Sequence, residues 1–301
     1  MFVPMRKILR DAEKNAYAVG YFEAFNMDAL LACLDAAIET RSPIIIGFGG
    51  QFLSSPKRKE PENIYLYGAL AKAAAEHSDI PVATLLNESD RIDMVYQGMK
   101  AGFGAVMYQK EPESEEDTLR ITREVCKVAH YLNIDVESEV GRLPMQNIAT
   151  GTADAGQNTD VAYAKKFVSE TDIDALAVAI GNVHLLESSK ADLDFDLLKS
   201  LHANVPVPLV LHGGTGISDE DIKKAIRLGI TKMNVGTVLK RCYINALKPF
   251  YKEKEIDKID THVTIGWGGN DDMISAGRDA IRDKIHEFIE VFGSAGMAKH
   301  F

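Results

Sequence analysis

The stretch Val207–Lys240 contains the residues of this chain whose types and spacing best suit ligand chemistry. One apolar run ends at His212 and a second ends at Asn234, and a turn and a helical pattern follow each of them. The residues of the two turns are Gly213, Gly214, Thr215 and Gly216, and then Gly236 and Thr237. Backbone N–H groups in such turns and at helix N-termini bind anions. The stretch therefore predicts an anion site, and the alternative is that the glycines serve only tight turns.

Two histidines, His184 and His212, each follow an apolar run and form a second group of candidate residues. Adjacent strands lie about 5 Å apart, so two imidazole rings at neighbouring strand ends can reach one ion. Two imidazoles, one carboxylate and an open position suit a divalent metal such as zinc. The alternative is that both histidines are hydrogen-bonded rim residues. The polar residues that end other apolar runs include Glu23, Asn87, Glu88, Gln109 and Glu139.

Eight short β-rich runs alternate with helical segments along the chain. The predicted strands are Ala18–Phe22, Pro43–Phe48, Pro81–Leu86, Gly104–Tyr108, Asp135–Val140, Asp174–Ile180, Val207–His212 and Thr231–Val235. The segments between them have apolar residues at three- and four-residue spacing, as amphipathic helices do. Eight βα units predict an α/β fold, namely a TIM (β/α)8 barrel, and a doubly wound open sheet is the alternative. We expect residues 1–301 to form a single domain, with extra C-terminal helices over Asn270–Phe292.

Two long segments interrupt this repeat, and both follow predicted strands. Gly50–Pro61 is basic, and Arg142–Thr159 is rich in glycine, threonine and asparagine. The active sites of TIM barrels lie at the carboxyl ends of the strands. The two segments are therefore expected to be lids over the site, and the alternative is that they are surface insertions.

The composition argues against several classes of partner. The 301 residues carry a formal net charge of −10, which argues against nucleic acid. No apolar run is long enough to span a bilayer, and Met1–Asn15 has the pattern of a mixed helix and not of a signal peptide. The three cysteines form no CxxC pair, so neither a disulfide framework nor a thiolate zinc site is indicated. We expect a cytoplasmic protein with no membrane partner.

Five segments carry a family resemblance that covers essentially the whole chain. They are Ala18–Ile46, Val136–Gly141, Asp174–His184, Leu209–Thr237 and Phe292–Ala298. Together they resemble class II, metal-dependent ketose-bisphosphate aldolases of the fructose- and tagatose-bisphosphate type. The resemblance implies a TIM barrel, a catalytic zinc and reversible aldol cleavage that yields dihydroxyacetone phosphate.

The resemblance also implies roles for individual residues. His184 and His212 match two of the family's zinc-binding histidines, and Glu139 matches a glutamate near the metal. The residues that match the phosphate-cradling positions are Gly213, Thr215, Asn234, Gly236 and Thr237. Together with Gly181 and Gly214, they make up the expected substrate-binding set.

The chain departs from the family pattern in its third predicted strand. The family has a catalytic aspartate followed by the third zinc-binding histidine, and this chain has Asn87 and Glu88 at those positions. Leu185 also replaces the glycine that usually follows the ligand histidine. Further exchanges are Leu85 for a histidine, Gln109 for an aspartate and Glu23 for an asparagine.

These exchanges change the expected chemistry. An amide does not accept and return a proton at neutral pH, so Asn87 cannot take over the aspartate's proton transfer. One interpretation makes Glu88 the third metal ligand beside His184 and His212. Another leaves the metal on the two histidines and Glu139 and makes Glu88 the acid/base, and a third leaves Glu88 solvated and the metal absent. The expected catalytic residues are Asn87, Glu88 and Glu139, with one divalent ion, zinc first and manganese, iron or cobalt as alternatives.

The implied activity is that of a metal-dependent aldolase-like lyase, which cleaves a carbon–carbon bond of a ketose phosphate or a related sugar derivative. The absence of the aspartate predicts little cleavage of fructose 1,6-bisphosphate. The alternatives are an isomerase or epimerase on the same scaffold, and a catalytically silent homologue that binds a sugar phosphate. We expect a sugar phosphate or sugar acid as the small-molecule partner and a homodimer or homotetramer as the assembly.

Overall fold

Eight parallel strands form a closed barrel in chain order in the computed structural model, which describes residues 1–110, 113–144, 156–183, 191–252 and 259–301. Of Thr215 and Lys252 it describes the backbone alone. The strands are β1 Val19–Ala24, β2 Ile44–Gly49, β3 Val82–Ser89, β4 Ala105–Tyr108, β5 Asp135–Val140, β6 Ala175–Val178, β7 Leu209–Leu211 and β8 Ile230–Val235. The closed barrel confirms the predicted TIM (β/α)8 fold, and the open-sheet alternative is wrong.

Helices cover the outside of the barrel and connect its strands. They are α1 Met5–Asn15, α2 Met27–Glu39, α3 Gly50–Leu53, α4 Ile64–Glu76, α5 Ile92–Ala101, α6 Glu115–Tyr131, α7 Val161–Thr171, α8 Phe195–Asn204, α9 Asp219–Arg227, α10 Thr237–Lys252, α11 Thr261–Thr264 and α12 Met273–Phe292. Short 3₁₀ turns form at Gly214–Gly216 and Met297–His300. None of these helices has the length and apolar character that a membrane crossing requires.

The third strand is longer than the sequence predicts. The prediction ends it at Leu86, where the apolar run ends, whereas β3 continues to Ser89. Asn87 pairs with Gly49 of β2, and Ser89 pairs with Tyr108 of β4. These pairings persist because a strand ladder depends on backbone groups and not on the polarity of the side chains.

Two further predictions need correction. The segment Val207–His212 contains a strand of only three residues, Leu209–Leu211, because its pairing with β6 covers only two residues. His212 therefore lies immediately after the strand and not within it. The segment Gly50–Pro61 is not a loop throughout, since its first four residues form α3.

The interior of the barrel is apolar towards its amino end. One buried cluster joins inward-facing strand residues with residues of α1; its members include Tyr21, Ile45, Ala83, Leu85, Met107, Val210, Met5, Ile8, Leu9 and Ala12. The helix α1 contacts β1, β3 and β8, and its Arg6 forms an ion pair with Asp135 at the start of β5. It therefore covers the amino end of the barrel. Lys232 is also buried inside the barrel, with its Nζ atom 5.0 Å from the ring centre of Tyr21.

The segment Asn270–Phe292, in which the sequence predicts extra C-terminal helices, contains α12. This helix packs against α2, α9 and α10. Its buried residues Ile281, Ile285 and Ile289 recur at four-residue spacing and form an apolar stripe. The ring of Phe292 stacks on Phe22 of β1, with the ring centres 6.3 Å apart. The helix thus belongs to the outer layer of the barrel.

A bidentate ion pair joins α12 to α2. Arg278 Nε lies 2.5 Å from Oδ2 of Asp35 and Arg278 Nη2 lies 2.8 Å from Oδ1, with the side chains 34% and 29% exposed. Because the pair is bidentate and partly shielded, we expect Arg278→Ala to lower the free energy of unfolding by about 1 kcal/mol. The control is Arg91→Ala, which removes a more exposed pair with Asp93 and should change stability little. Equilibrium urea unfolding measures both, and equal losses in the two variants would contradict this expectation.

Candidate active site

Polar side chains meet at the carboxyl end of the barrel, around a cavity of about 590 Å³. Those that line it include Glu23 of β1, Asn87 and Glu88 of β3, Glu139 of β5 and Asn234 of β8. His212, the residue after β7, is fully buried beside them and contacts Glu88 and Glu139. The structure therefore brings these sequence-predicted residues into one site.

His212 lies at the centre of this site, with carboxylates on both sides of its ring. Its Nε2 atom lies 3.0 Å from Oε1 of Glu137. Its Nδ1 atom lies 3.0 Å from Oε2 of Glu139 and 3.4 Å from Oε1 of Glu88. The backbone oxygen of His212 accepts a hydrogen bond of 3.0 Å from Nδ2 of Asn182. The ring and the backbone of His212 are therefore both held in place.

The carboxylates make the surroundings of His212 favourable for positive charge. Burial lowers the pKa of His212, but hydrogen bonds to Glu137 and Glu139 and their charges outweigh burial and raise the pKa to about 10. Burial raises the pKa of Glu137, yet the charges of Lys232 and His212 lower that pKa overall. Burial also lowers the pKa of Lys232 by more than Glu137 raises it. The buried carboxylates thus favour a positive charge at the imidazole.

Glu137 and Lys232, which the sequence prediction missed, form a fully buried ion pair behind His212. Lys232 Nζ lies 2.8 Å from Oε2 of Glu137 and donates a 2.6 Å hydrogen bond to Oδ1 of Asn234. A signal for them existed, because residues two apart on a strand share a face. Glu137 therefore shares the inward face with Glu139, and Lys232 shares it with Asn234. Charged residues in a barrel interior are costly unless they are paired, which predicts a partner for each.

Asn87 and Glu88 are neighbours in the sequence and nevertheless line the same cavity. In a regular strand, successive side chains point to opposite faces. Glu88 breaks this alternation, because its φ of +45° lies in the left-handed region and the β3–β4 register shifts between Leu86 and Ser89. Bulges often re-aim side chains next to active sites. Both of the exchanges from the family motif in β3 therefore fall within the site.

Gln109 orients the carboxylate of Glu139. The Nε2 group of Gln109 donates a 3.0 Å hydrogen bond to Oε1 of Glu139, and Oε2 of the same carboxylate faces His212. An aspartate in place of Gln109 would put a second negative charge beside Glu139. The exchange for glutamine therefore replaces a repulsion by a hydrogen bond.

The two glycine turns lie side by side. A Cβ atom added to Gly214 would lie 3.2 Å from the backbone oxygen of Asn234, so the turns approach each other closely. Gly213 and Gly181 have φ values of +69° and +102°, in the left-handed region that favours glycine. Gly236 immediately precedes α10. This backbone arrangement is compatible with the predicted anion cradle.

Beside the second turn lies a pair of opposite charges. Thr237 is the first residue of α10, and Lys240 follows about one helical turn later. Lys240 Nζ lies 3.2 Å from Oε1 of Glu23 and 4.1 Å from the ring centre of Phe52. This chain has Glu23 where the family has an asparagine, which adds a negative charge at the edge of the expected anion site. Lys240 balances this charge.

His184 and Leu185 lie outside the described residues, as does the side chain of Thr215. Within the described part of the chain, no group of three or more histidine, cysteine, aspartate or glutamate side chains is arranged to hold a metal ion. The pairing of His184 with His212 at one ion therefore stays a prediction.

Comparison with known proteins gives the family of the chain. A family model described as class-II fructose-bisphosphate aldolase matches residues 3–297. The chain belongs to this family. This class II aldolase is a lyase of the aldolase type, in a family that generally depends on a divalent metal ion.

The relatives of this aldolase agree with its family. The protein YdjI from Escherichia coli K12 is 31% identical over 305 residues, which cover 99% of this chain and 100% of YdjI. A crystal structure of the YdjI aldolase has a TM-score of 0.81 at 30% identity, and the match covers 99% of this chain and 100% of that one. A putative fructose-1,6-bisphosphate aldolase from Coccidioides immitis, 23% identical with 99% and 98% covered, shares the fold with a TM-score of 0.82.

The donors around His212 suit a divalent cation in their chemistry. The hydrogen bond from His212 Nε2 to Glu137 is the arrangement that commonly orients a metal-ligating histidine. Donor atoms that share one tetrahedral zinc lie about 3.3 Å apart, and the Nδ1 atom is 3.0 Å from Glu139 and 3.4 Å from Glu88. Oε2 of Glu139 is buried, and it is the atom of this carboxylate that faces Nδ1 of His212. The described donors of this aldolase thus fit a cation, although they do not enclose one by themselves.

Proposed function

We propose that this class II aldolase reversibly cleaves a carbon–carbon bond of a ketose phosphate, or of a related derivative such as a sugar acid, in a metal-dependent reaction. One observation carries the proposal. His212 is oriented by Glu137, faces the carboxylates of Glu88 and Glu139, and lies next to two adjacent glycine turns. This arrangement combines donors for a cation with backbone donors for a phosphate group.

The proposed metal ligands are His212 and Glu88, together with His184 from outside the described residues. Glu88 stands at the position of the family's third ligand, and its Oε1 atom lies 3.4 Å from Nδ1 of His212, so we place it in this set. Glu139, whose Oε2 atom lies 3.0 Å from the same nitrogen, is the alternative third ligand. Imidazole and carboxylate donors suit zinc and also accept manganese, iron or cobalt. A bound divalent cation supplies Lewis-acid polarisation of the substrate carbonyl group.

Glu139 is the carboxylate that remains for proton transfer when Glu88 serves as a ligand. It lines the cavity, and Gln109 holds one of its oxygens. Asn87 also lines the cavity, and its Oδ1 atom is buried without a hydrogen-bond partner among the described residues. An amide can bind a substrate hydroxyl but cannot exchange a proton with it. We therefore assign substrate binding to Asn87 and proton transfer to Glu139.

The phosphate group of the substrate is proposed to bind at the two glycine turns. The residues concerned are Gly181, Gly213, Gly214, Thr215, Asn234, Gly236 and Thr237. Backbone N–H groups provide this binding without depending on the titration of side chains. The charges of Glu23 and Lys240 balance each other at the edge of the cavity. Leu185, which follows the proposed ligand His184 where the family has a glycine, is bulkier and favours a ketose monophosphate or a sugar acid over a bisphosphate.

A substrate screen tests the proposed function. The protein loaded with zinc, manganese or cobalt is incubated with a panel of ketose phosphates and sugar acids, and release of a triose phosphate or a small aldehyde is measured. We expect at least one compound to be cleaved with metal and not with chelator. Rearrangement without cleavage would identify an isomerase or epimerase, and binding without turnover would identify a silent homologue.

Replacement of His212 by alanine is expected to weaken zinc binding by more than about 100-fold, because a direct ligand contributes more than an outer-shell partner does. Elemental analysis and competition with a chromogenic chelator measure the bound zinc. The control is His77→Ala, since His77 is exposed at the end of α4. Stoichiometric zinc in the His212 variant, or no zinc in the unmodified protein, would contradict the proposed site.

Three broader expectations stay predictions. They are the single domain over residues 1–301, the homodimer or homotetramer, and the cytoplasmic location. Size-exclusion chromatography with light scattering tests the assembly, and limited proteolysis tests the domain.

A further inference from the structure

Gln51 is the described residue that holds the carboxylate of Glu88. The Nε2 group of Gln51 donates a 2.6 Å hydrogen bond to Oε2 of Glu88. The other oxygen, Oε1, lies 3.4 Å from Nδ1 of His212. The two oxygens of the Glu88 carboxylate therefore have different partners. The amide of Gln51 binds one of them, and the other faces the imidazole of His212.

Gln51 reaches Glu88 because α3 packs tightly on the end of β3. A Cβ atom added to Gly50 would lie 2.3 Å from Oγ of Ser89, so this approach is possible only for glycine at position 50. Gly50 is the first residue of α3 and Gln51 is the second. The side chain of Gln51 is half-buried and lines the same cavity as Glu88.

The backbone of Glu88 is strained, and this strained conformation directs its side chain into the cavity. Its φ of +45° is uncommon for a residue with a side chain. Strained backbone of this kind persists only where the surrounding structure holds it, and it concentrates at functional sites. The hydrogen bond from Gln51 is one such restraint, and it holds the carboxylate of Glu88 in the cavity.

We infer that Gln51 is a positioning residue that presents Glu88 to a divalent cation through Oε1 alone. This inference rests on the proposed function. With Oε2 engaged by Gln51, Glu88 is oriented as a one-oxygen ligand beside His212.

Cobalt(II) is the probe for this inference, because its visible spectrum reports the ligands and its affinity can be measured without any substrate. We expect Gln51→Leu, which keeps the size of the side chain and removes the donor, to weaken cobalt binding about 10- to 100-fold and to change the spectrum. The matched control is Ser54→Ala. Ser54 follows the same short helix and hydrogen-bonds to the Gly50 backbone oxygen, 3.0 Å away.

A double-variant cycle separates a positioning role from a merely structural one. If Gln51 acts through Glu88, Gln51→Leu should weaken cobalt binding less than about twofold once Glu88→Gln is present. Equal effects of Gln51→Leu in both backgrounds would overturn the inference, and so would equal weakening by Ser54→Ala. Absence of cobalt binding by the unmodified protein would refute the proposed function and the inference together. Normal cobalt binding that does not depend on Gln51 would refute the inference alone.

Discussion

Replacement of Lys232 by methionine is expected to lower the free energy of unfolding by about 3 kcal/mol. Removing one partner of a buried ion pair costs about 3–5 kcal/mol, because the remaining charge is left in a medium of low polarity. Lys232 and Glu137 are both fully buried, with Nζ and Oε2 2.8 Å apart. The loss should lie at the lower end of the range, since His212 remains as a second partner of Glu137.

Equilibrium urea unfolding measures this loss. The control is Lys127→Met, which removes an exposed pair with Glu124 and should leave stability almost unchanged. The double variant Lys232→Met/Glu137→Leu removes both charges and should recover part of the loss, although it also takes away the partner of His212 Nε2. A decrease below about 1 kcal/mol for Lys232→Met would show that the pair contributes little to stability.

Fructose 1,6-bisphosphate is expected to be cleaved about 10²- to 10⁴-fold more slowly by this protein than by class II aldolases that keep the aspartate at the position of Asn87. This range is the typical contribution of a general acid or base. Asn87 lines the cavity together with Glu88. The exchange of the family's aspartate to asparagine therefore removes a proton-transferring group from the proposed active site. A steady-state assay that couples triose phosphate release to reduction by NADH measures the rate with metal present.

Restoring the family residues provides the control for this prediction. We expect the double change Asn87→Asp and Glu88→His to raise the cleavage rate above that of either single change, because the two family residues act together. Unmodified protein that cleaves this substrate at an ordinary enzymatic rate, about 1–10³ s⁻¹, would refute the argument from Asn87.

The barrel and the main part of its site were predictable from the sequence because they depend on local patterns. Eight apolar runs separated by helical segments predict a TIM barrel, and the closed barrel has its strands in chain order. The positions of His212, Glu139 and Asn234 follow from the rule that chemistry collects at the carboxyl ends of the strands. The glycine turns follow from the pattern of a strand, a glycine and a helix.

The contacts across the site were not predictable in this way. The ion pair of Lys232 with Glu137 joins β8 to β5, which are not neighbours in the barrel. The two-residue period of a strand shows which face a side chain occupies but not its partner on a distant strand. The direction of Glu88 depends on an irregular backbone at the end of β3, which the apolar pattern does not encode. Gln51 was missed for the same reason, since its role exists only through Glu88.

The partner of Glu88 lies on α3, a single turn of helix that follows β2, whereas the partner of His212 lies on the strand β5. Mutations at these two places have different physical consequences. Loss of Glu137 or Lys232 leaves a buried charge without its partner and therefore lowers the stability of the folded state. A change of Gln51 removes a hydrogen bond to Glu88 and no contact within the strands. Under the proposed role of Glu88, the affinity for a metal ion could therefore be altered at Gln51 without loss of the fold.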